Sequence, residues 1–296
     1  MPIVRAMEVP PGLSPYAREV TLPGSGQRLF LYEAGKSRGP GMLLVHGLGD
    51  EADTWRRVLP ALAERHHVVA PDLPGFGRSP LPARGRLTIR SLVTLLAELA
   101  RHCGLAQVTL IGSSLGAALS QVVALTHPEV VSRLILEDGG LLANARLDAG
   151  LVLGLVPGIG ESRYRRLAND LDAAYASLKP YYADLDALPS EEREFLRQRV
   201  GERVASRTQM RAYFSFFRSF AGMLLVRGRS LSRKARALSI PTLYVWGGQD
   251  HIVSRESAEA TVRQHRGARL AVIPEAGHLP HQETPAEFLR VIAQER

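Results

Sequence analysis

Two rhythms of apolar residues alternate along most of the chain, and one of them is lost in the middle. Short segments at 28–32, 42–46, 67–71, 108–111, 133–137, 241–246 and 269–273 are continuously apolar or alternate, which predicts strands. Between them lie longer segments that keep their apolar residues on one helical face. Residues 53–65 place Trp55, Val58, Leu59 and Leu62 together, and 88–103 opens on a Thr88 cap and aligns Leu92, Leu95, Leu96 and Leu99. Residues 115–126, 255–265 and 284–294 complete the helical set. Alternating strands and helices predict an α/β fold whose central sheet is mostly parallel and covered by helices.

From 139 to 239 the strand rhythm disappears, although the length holds three or four helices. VPGIG at 156–160 interrupts the start, and 162–178, 190–206 and 208–226 read as helices. The expected organisation is a core of residues 1–138 and 240–296 carrying a helical cap insertion at 139–239. Within it, Tyr213, Phe216, Phe217, Phe220, Met223 and Leu224 cover one or more faces of a helix. They either line an apolar pocket or pin the helix to the sheet, and the third reading is contact with a membrane surface, which Arg211, Arg218, Arg227 and Arg229 would suit although a cap can solvate such charges without lipid.

The single cysteine, Cys103, excludes an intrachain disulfide and offers no zinc or iron–sulfur spacing, so a reducing, cytoplasmic location is expected. No apolar run approaches a bilayer span, and no transmembrane segment is expected. Charge matters only by position. The formal net charge is +8, yet residues 193–236 contain 12 basic side chains against Glu194 and Glu202, so the remainder is slightly acidic. Without zinc-finger spacing, a ribonucleoprotein aromatic pair or a basic tail, this excess does not indicate a nucleic-acid partner.

The strongest chemical signal is Gly112-Ser113-Ser114-Leu115-Gly116, set between an expected strand and an expected helix. A hydroxyl on such a tight turn is projected as a nucleophile, and the flanking glycines let the backbone crowd. Serine needs a base, and the base needs a group that holds its tautomer. His278 follows the last expected strand and Asp250 the one before it, which places both at the carboxyl edge with Ser114. His281 competes as base, and Asp138, also at a strand end, competes as acid. His46-Gly47-Leu48-Gly49 could aim the Leu48 N–H at a developing oxyanion together with the Leu115 N–H, or it is a plain glycine turn.

PDLPGFGRS at 71–79 lacks the spacing of a dinucleotide-binding loop, so no cofactor is implied; its expected task is to shape the pocket floor and support the HGLG loop, with Asp72 bonded locally, and substrate contact by Arg78 and Ser79 is the lesser alternative. The histidines form no metal-ligand spacing, and no metal is needed.

With HGLG, PDLPGFGRS, GSSLG, WGGQD and PEAGHLPH in place, the chain resembles the α/β-hydrolase family over residues 26–295. The resemblance implies an eight-stranded sheet, a helical cap and metal-free hydrolysis through an acyl-enzyme. Ser114 would attack a carbonyl, His278 would pass the proton to the leaving group, and water would complete turnover. Dehalogenases and epoxide hydrolases of the family carry aspartate where Ser114 stands. Carbon–carbon hydrolases typically carry tryptophan after the catalytic histidine, where this chain has Leu279, and proline iminopeptidases carry it at the position of Leu115. The remaining expectation is hydrolysis of a small-molecule carboxylic ester with a small or medium apolar acyl group. Carbon–carbon, lactone or amide hydrolysis and ligand binding without catalysis are the alternatives. No motif sets an oligomeric state.

Overall fold

The computed structural model describes residues 7–35, 39–83, 87–141 and 155–294, and the statements that follow concern these. Eight strands form one sheet: β1 (Ala17–Thr21), β2 (Arg28–Ala34), β3 (Gly41–Val45), β4 (His67–Pro71), β5 (Val108–Ser113), β6 (Val131–Glu137), β7 (Thr242–Gly247) and β8 (Arg269–Ile273). Their order is β1-β2-β4-β3-β5-β6-β7-β8. β2 runs antiparallel to both neighbours, and every pairing from β4 to β8 is parallel. β1 was not legible as a strand because Ala17–Thr21, an edge segment, carries little apolar patterning and is mostly half-buried or exposed.

The strand pleat divides the core. Leu43 and Val45 join one cluster with α2 (Ile89–His102) and α3 (Leu115–Thr126), while Met42 and Leu44 join the other with Trp55 and Phe288. α2 is capped as expected, with the Thr88 hydroxyl accepting from Ser91 N–H at 3.1 Å. Three expected helices have different limits. Residues 53–65 divide into a 3₁₀ turn, Ala52–Arg57, and the short α1 (Leu59–Ala63), where Pro60 lacks an N–H to continue the first segment. The stretch 162–178 breaks into α4 (Ile159–Leu167) and α5 (Leu171–Ala176), because the Asp170 carboxylate caps the second helix through Ala173 N–H at 2.9 Å. The third, expected over 208–226, continues as α7 (Arg207–Arg236) past its apolar stretch.

α4, α5, α6 (Ser190–Ala205) and α7 occupy the region between β6 and β7, and α8 (Arg255–Gln264) joins β7 to β8; the beginning of the expected insertion, 142–154, lies outside the described residues. Polar ties hold these helices to the sheet unit. Arg203 bonds Glu51 at 2.7 Å and also reaches Asp50, while Arg199 meets Asp53 at 3.1 Å. Ser219 accepts from Ile89 N–H at 3.0 Å, where α7 crosses the start of α2.

PDLPGFGRS closes a second set of buried charges. Arg78 donates to Asp72 at 2.9 Å and to Asp53 at 2.8 Å, and both carboxylates are fully buried. Asp72 also accepts Ala52 N–H at 2.7 Å, so this network carries the backbone next to the His46 loop. The Ser79 hydroxyl accepts from Phe30 N–H at 2.9 Å. Both Arg78 and Ser79 are therefore committed inside the fold. Removing one partner from a buried ion network leaves desolvated charge behind, at about 3–5 kcal/mol. Arg78→Met is expected to lower the urea-unfolding free energy by about 3 kcal/mol. A change within the scatter of surface substitutions would show that Asp53 and Asp72 do not need this cation.

Candidate active site

β5 ends at Ser113 and α3 begins at Leu115, so Ser114 alone makes the turn, with φ 54° and ψ −121°. A positive φ strains a residue that bears a Cβ, and the surroundings hold it there. Ser114 N–H donates to Glu137 O at 2.8 Å, and its carbonyl accepts from Ala117 N–H at 3.0 Å. A Cβ on Gly112 would sit 2.5 Å from Gly116 O, and one on Gly116 would sit 2.4 Å from Val45 O. The glycines thus permit close backbone contact on both sides of the turn.

His278 lies between β8 and α9 (Pro280–Glu283), and its N–H donates to Tyr181 O at 3.0 Å. Glu283 gathers Gly277 N–H at 2.9 Å and Ala183 N–H at 2.7 Å, stitching the loop to the segment that carries Tyr181 and Tyr182. The imidazole stands 2.8 Å from Ser114 Oγ through Nε2 and 2.8 Å from Asp250 Oδ2 through Nδ1. Asp250 Oδ1 accepts from Ile252 and Val253 N–H at 2.7 and 3.0 Å. Ser114, His278 and Asp250 therefore meet as expected.

The two competing residues do not occupy these positions. His281 is buried with Nδ1 2.8 Å from Glu137 and Nε2 2.8 Å from Thr54, so it braces α9 against the sheet. Asp138 lies beside these residues: one carboxyl oxygen of Asp138, one of Asp250 and a ring nitrogen of His278 fall within 4.8 Å of one another. Asp138 Oδ1 accepts Gly247 N–H at 2.9 Å. Burial, followed by the negative charges of Asp250 and Glu137, pushes the Asp138 carboxyl well above its ordinary value. Burial also acts upward on Asp250, but the His278 hydrogen bond and charge, with backbone N–H donors, hold it below its ordinary value. The neighbouring acids are thus pushed in opposite directions, Asp250 toward its charged form and Asp138 toward its protonated one.

His46 folds the adjoining loop. Its Nε2 accepts Leu73 N–H at 2.9 Å, which leaves Nδ1–H to donate to Gly47 O at 2.8 Å. Burial holds this imidazole below its ordinary value, in keeping with a neutral, fixed tautomer. The loop runs so close that a Cβ on Gly47 would be 3.3 Å from Ser114 Cβ. Leu48 lines the cavity above Ser114, and Leu115 supplies the first N–H of α3, where no intrahelical acceptor exists.

The cavity has a volume of about 330 Å³ and opens over Ser114 and His278. Tyr213, Phe214 and Phe217 of α7 face it, with Leu167 from α4 and Val200 and Val204 from α6. Of the expected apolar set, Tyr213 and Phe217 are in this wall. Phe216 is instead buried against Phe76 with ring centroids 6.3 Å apart, and Phe220 and Met223 pack against the core. Phe214 was missed although it adjoins Tyr213 in the same apolar stretch, whereas Tyr181 and Tyr182 lie in a separate segment that only tertiary folding brings to the cavity. Arg203 also lines it but is committed to Glu51 and Asp50.

Residues 40–285 match the family described as alpha/beta hydrolase fold, and the chain belongs to that family. It is 29% identical to a pimeloyl-[acyl-carrier protein] methyl ester esterase of Aeromonas hydrophila over 86% of this chain and 94% of that one. A 2-hydroxymuconate semialdehyde hydrolase of a Pseudomonas species is 27% identical, covering 97% of this chain and 95% of the relative. Among solved structures, a 2-hydroxy-6-oxo-6-phenylhexa-2,4-dienoate hydrolase of a Rhodococcus species superposes with a TM-score of 0.74 at 25% identity, covering 94% and 98% of the two chains. The protein is thus an enzyme of the α/β-hydrolase superfamily.

The raised Asp138 value sets the sign of a pH effect. Its folded value exceeds the unfolded one, so the native state binds more protons above about pH 4 and stability falls as pH rises through the raised value. Asp138→Asn is expected to remove this contribution, so that unfolding free energy declines less between about pH 4 and neutrality than in the wild type. Equal slopes for the two proteins would show that Asp138 ionises as it does in the unfolded chain.

Proposed function

We propose that the enzyme is a serine carboxylesterase acting through an acyl-enzyme. The reading rests on the continuous hydrogen-bond chain from Ser114 through His278 to Asp250 at the floor of a largely apolar cavity. Ser114 Oγ attacks the ester carbonyl carbon as its proton passes to His278 Nε2, while Asp250 keeps the proton on Nδ1 and stabilises the imidazolium. The Leu48 and Leu115 N–H groups receive the negative charge that forms on the carbonyl oxygen. Collapse of the tetrahedral adduct breaks the ester C–O bond, and His278 Nε2 gives its proton to the departing alkoxide. Water then attacks the acyl carbon with His278 taking its proton, and the second collapse releases the acid and restores Ser114.

The inserted helices act as a cap in this reading, with Tyr213, Phe214 and Phe217 receiving the acyl chain. The methyl ester esterase relative supports an ester as the substrate, and Leu279 stands where the family's carbon–carbon hydrolases typically have tryptophan.

Three experiments test these roles. Fluorophosphonate labelling is expected to be stoichiometric in the wild type and absent in folded Ser114→Ala and His278→Ala, with turnover of a nitrophenyl ester lost by a factor on the order of 10⁴–10⁶. Asp250→Asn is expected to lower kcat by about 10⁴, as tautomer control is lost, and Asp138→Asn by far less. A larger loss at Asp138 would exchange the two acids. In an acyl series with a fixed alcohol, each added methylene is expected to raise kcat/KM by up to about fourfold until the cavity fills, and Phe217→Ala to move the optimum to longer chains. A profile that favours acetate, or one the folded variant leaves unchanged, removes the proposed acyl wall.

A further inference from the structure

Exposed apolar side chains are distributed unevenly. Among the described residues, the large ones at the surface are Val156, Ile159, Leu171, Tyr181, Leu224, Leu225 and Val226, and all belong to the inserted region. Leu225 and Val226 are outstanding, at 88% and 80% exposed, near the middle of α7. This helix has 30 residues with eight arginines and lysines and no aspartate or glutamate.

Helical spacing places Leu225, Val226, Arg229, Arg233 and Arg236 on one side of α7, opposite the buried Ala235. Arg229, Arg233 and Arg236 are exposed and have no carboxylate partner among the described residues. The outward face is therefore an apolar pair set in uncompensated positive charge. Leu225 lies about 12 Å along the axis from Phe217, which lines the cavity, so this face belongs to the same rigid helix as the cavity wall.

We propose that this face of α7 docks the protein peripherally on an anionic lipid surface. The cations would meet lipid phosphates and acidic headgroups, and Leu225 and Val226 would enter the acyl boundary beneath them. A nucleic acid could satisfy the arginines but would leave the apolar pair in water. A second copy of this chain would set one basic face against another. Both apolar side chains protrude from a convex helix, which a deformable lipid layer accommodates without a matching groove. The proposal is independent of the roles assigned to Ser114 and His278.

The test is flotation of the whole protein with vesicles of phosphatidylcholine alone or mixed equally with phosphatidylglycerol. Binding is expected at low salt to the mixed vesicles only and to weaken as salt rises. Arg229→Gln with Arg233→Gln is expected to weaken it by about an order of magnitude or more, since each cation near such a surface contributes roughly fivefold. Leu225→Ser with Val226→Ser is expected to weaken it as well, and thermal unfolding checks that both double variants are folded. Lack of binding to the mixed vesicles overturns the proposal and leaves the face to a protein partner. So does equal binding to both vesicle types, or binding that neither folded variant reduces. Self-association lost in the leucine–valine variant, without vesicle binding by the wild type, would instead assign the face to contact between copies.

Discussion

A single backbone conformation, the positive φ at Ser114, is the constraint around which this structure is arranged. It reverses the chain between β5 and α3 within one residue, which lifts the serine oxygen clear of both elements. Holding a Cβ-bearing residue there costs conformational energy, and the neighbours supply the restraint. Gly112, Gly116 and Gly139 bring other backbone within distances that a side chain would block, and β6 accepts the serine amide. The motif is a packing solution before it is a chemical one. Parallel pairing of β5 with β3 and β6 then places the loops after those neighbouring strands beside the same oxygen.

The partners of Ser114 are positioned by fixed acceptors and donors rather than by apolar packing alone. Glu283 draws the His278 loop against the Tyr181 segment, Asp250 is anchored by two backbone amides, and His46 is locked between Gly47 and Leu73. Each polar side chain has a directional reason to stay where it is. Behind them, Arg78, Arg199 and Arg203 tie PDLPGFGRS, the His46 loop and α6 into adjoining buried ion networks. Such networks contribute orientation at the cost of desolvation, so the loss of one member matters more than the formation of any one pair.

Two aspartates at adjacent strand ends illustrate how environment assigns roles to identical side chains. Asp250 receives the imidazole N–H and backbone donors, so its charge is supported. Asp138 is deeper and faces two negative neighbours, which favours its protonated form. The same surroundings thus push two aspartates in opposite directions, since a second buried negative charge beside Asp250 would be repelled.

Much of this was legible before folding. Period-two and helical patterns located seven of the eight strands, and GSSLG, Asp250 and His278 stood at strand ends in an order that demanded their meeting. Local backbone chemistry explains that legibility: glycines mark close approaches, and apolar periodicity marks buried faces. The exclusion of Asp138 from the His278 Nδ1 contact, the diversion of His281 to Glu137 and Thr54, and the entry of Tyr181 and Tyr182 into the cavity were decided only in three dimensions. In each case the residue type was compatible with both outcomes. Distance and desolvation selected between them, and both are properties of segments far apart in sequence that tertiary packing brings together.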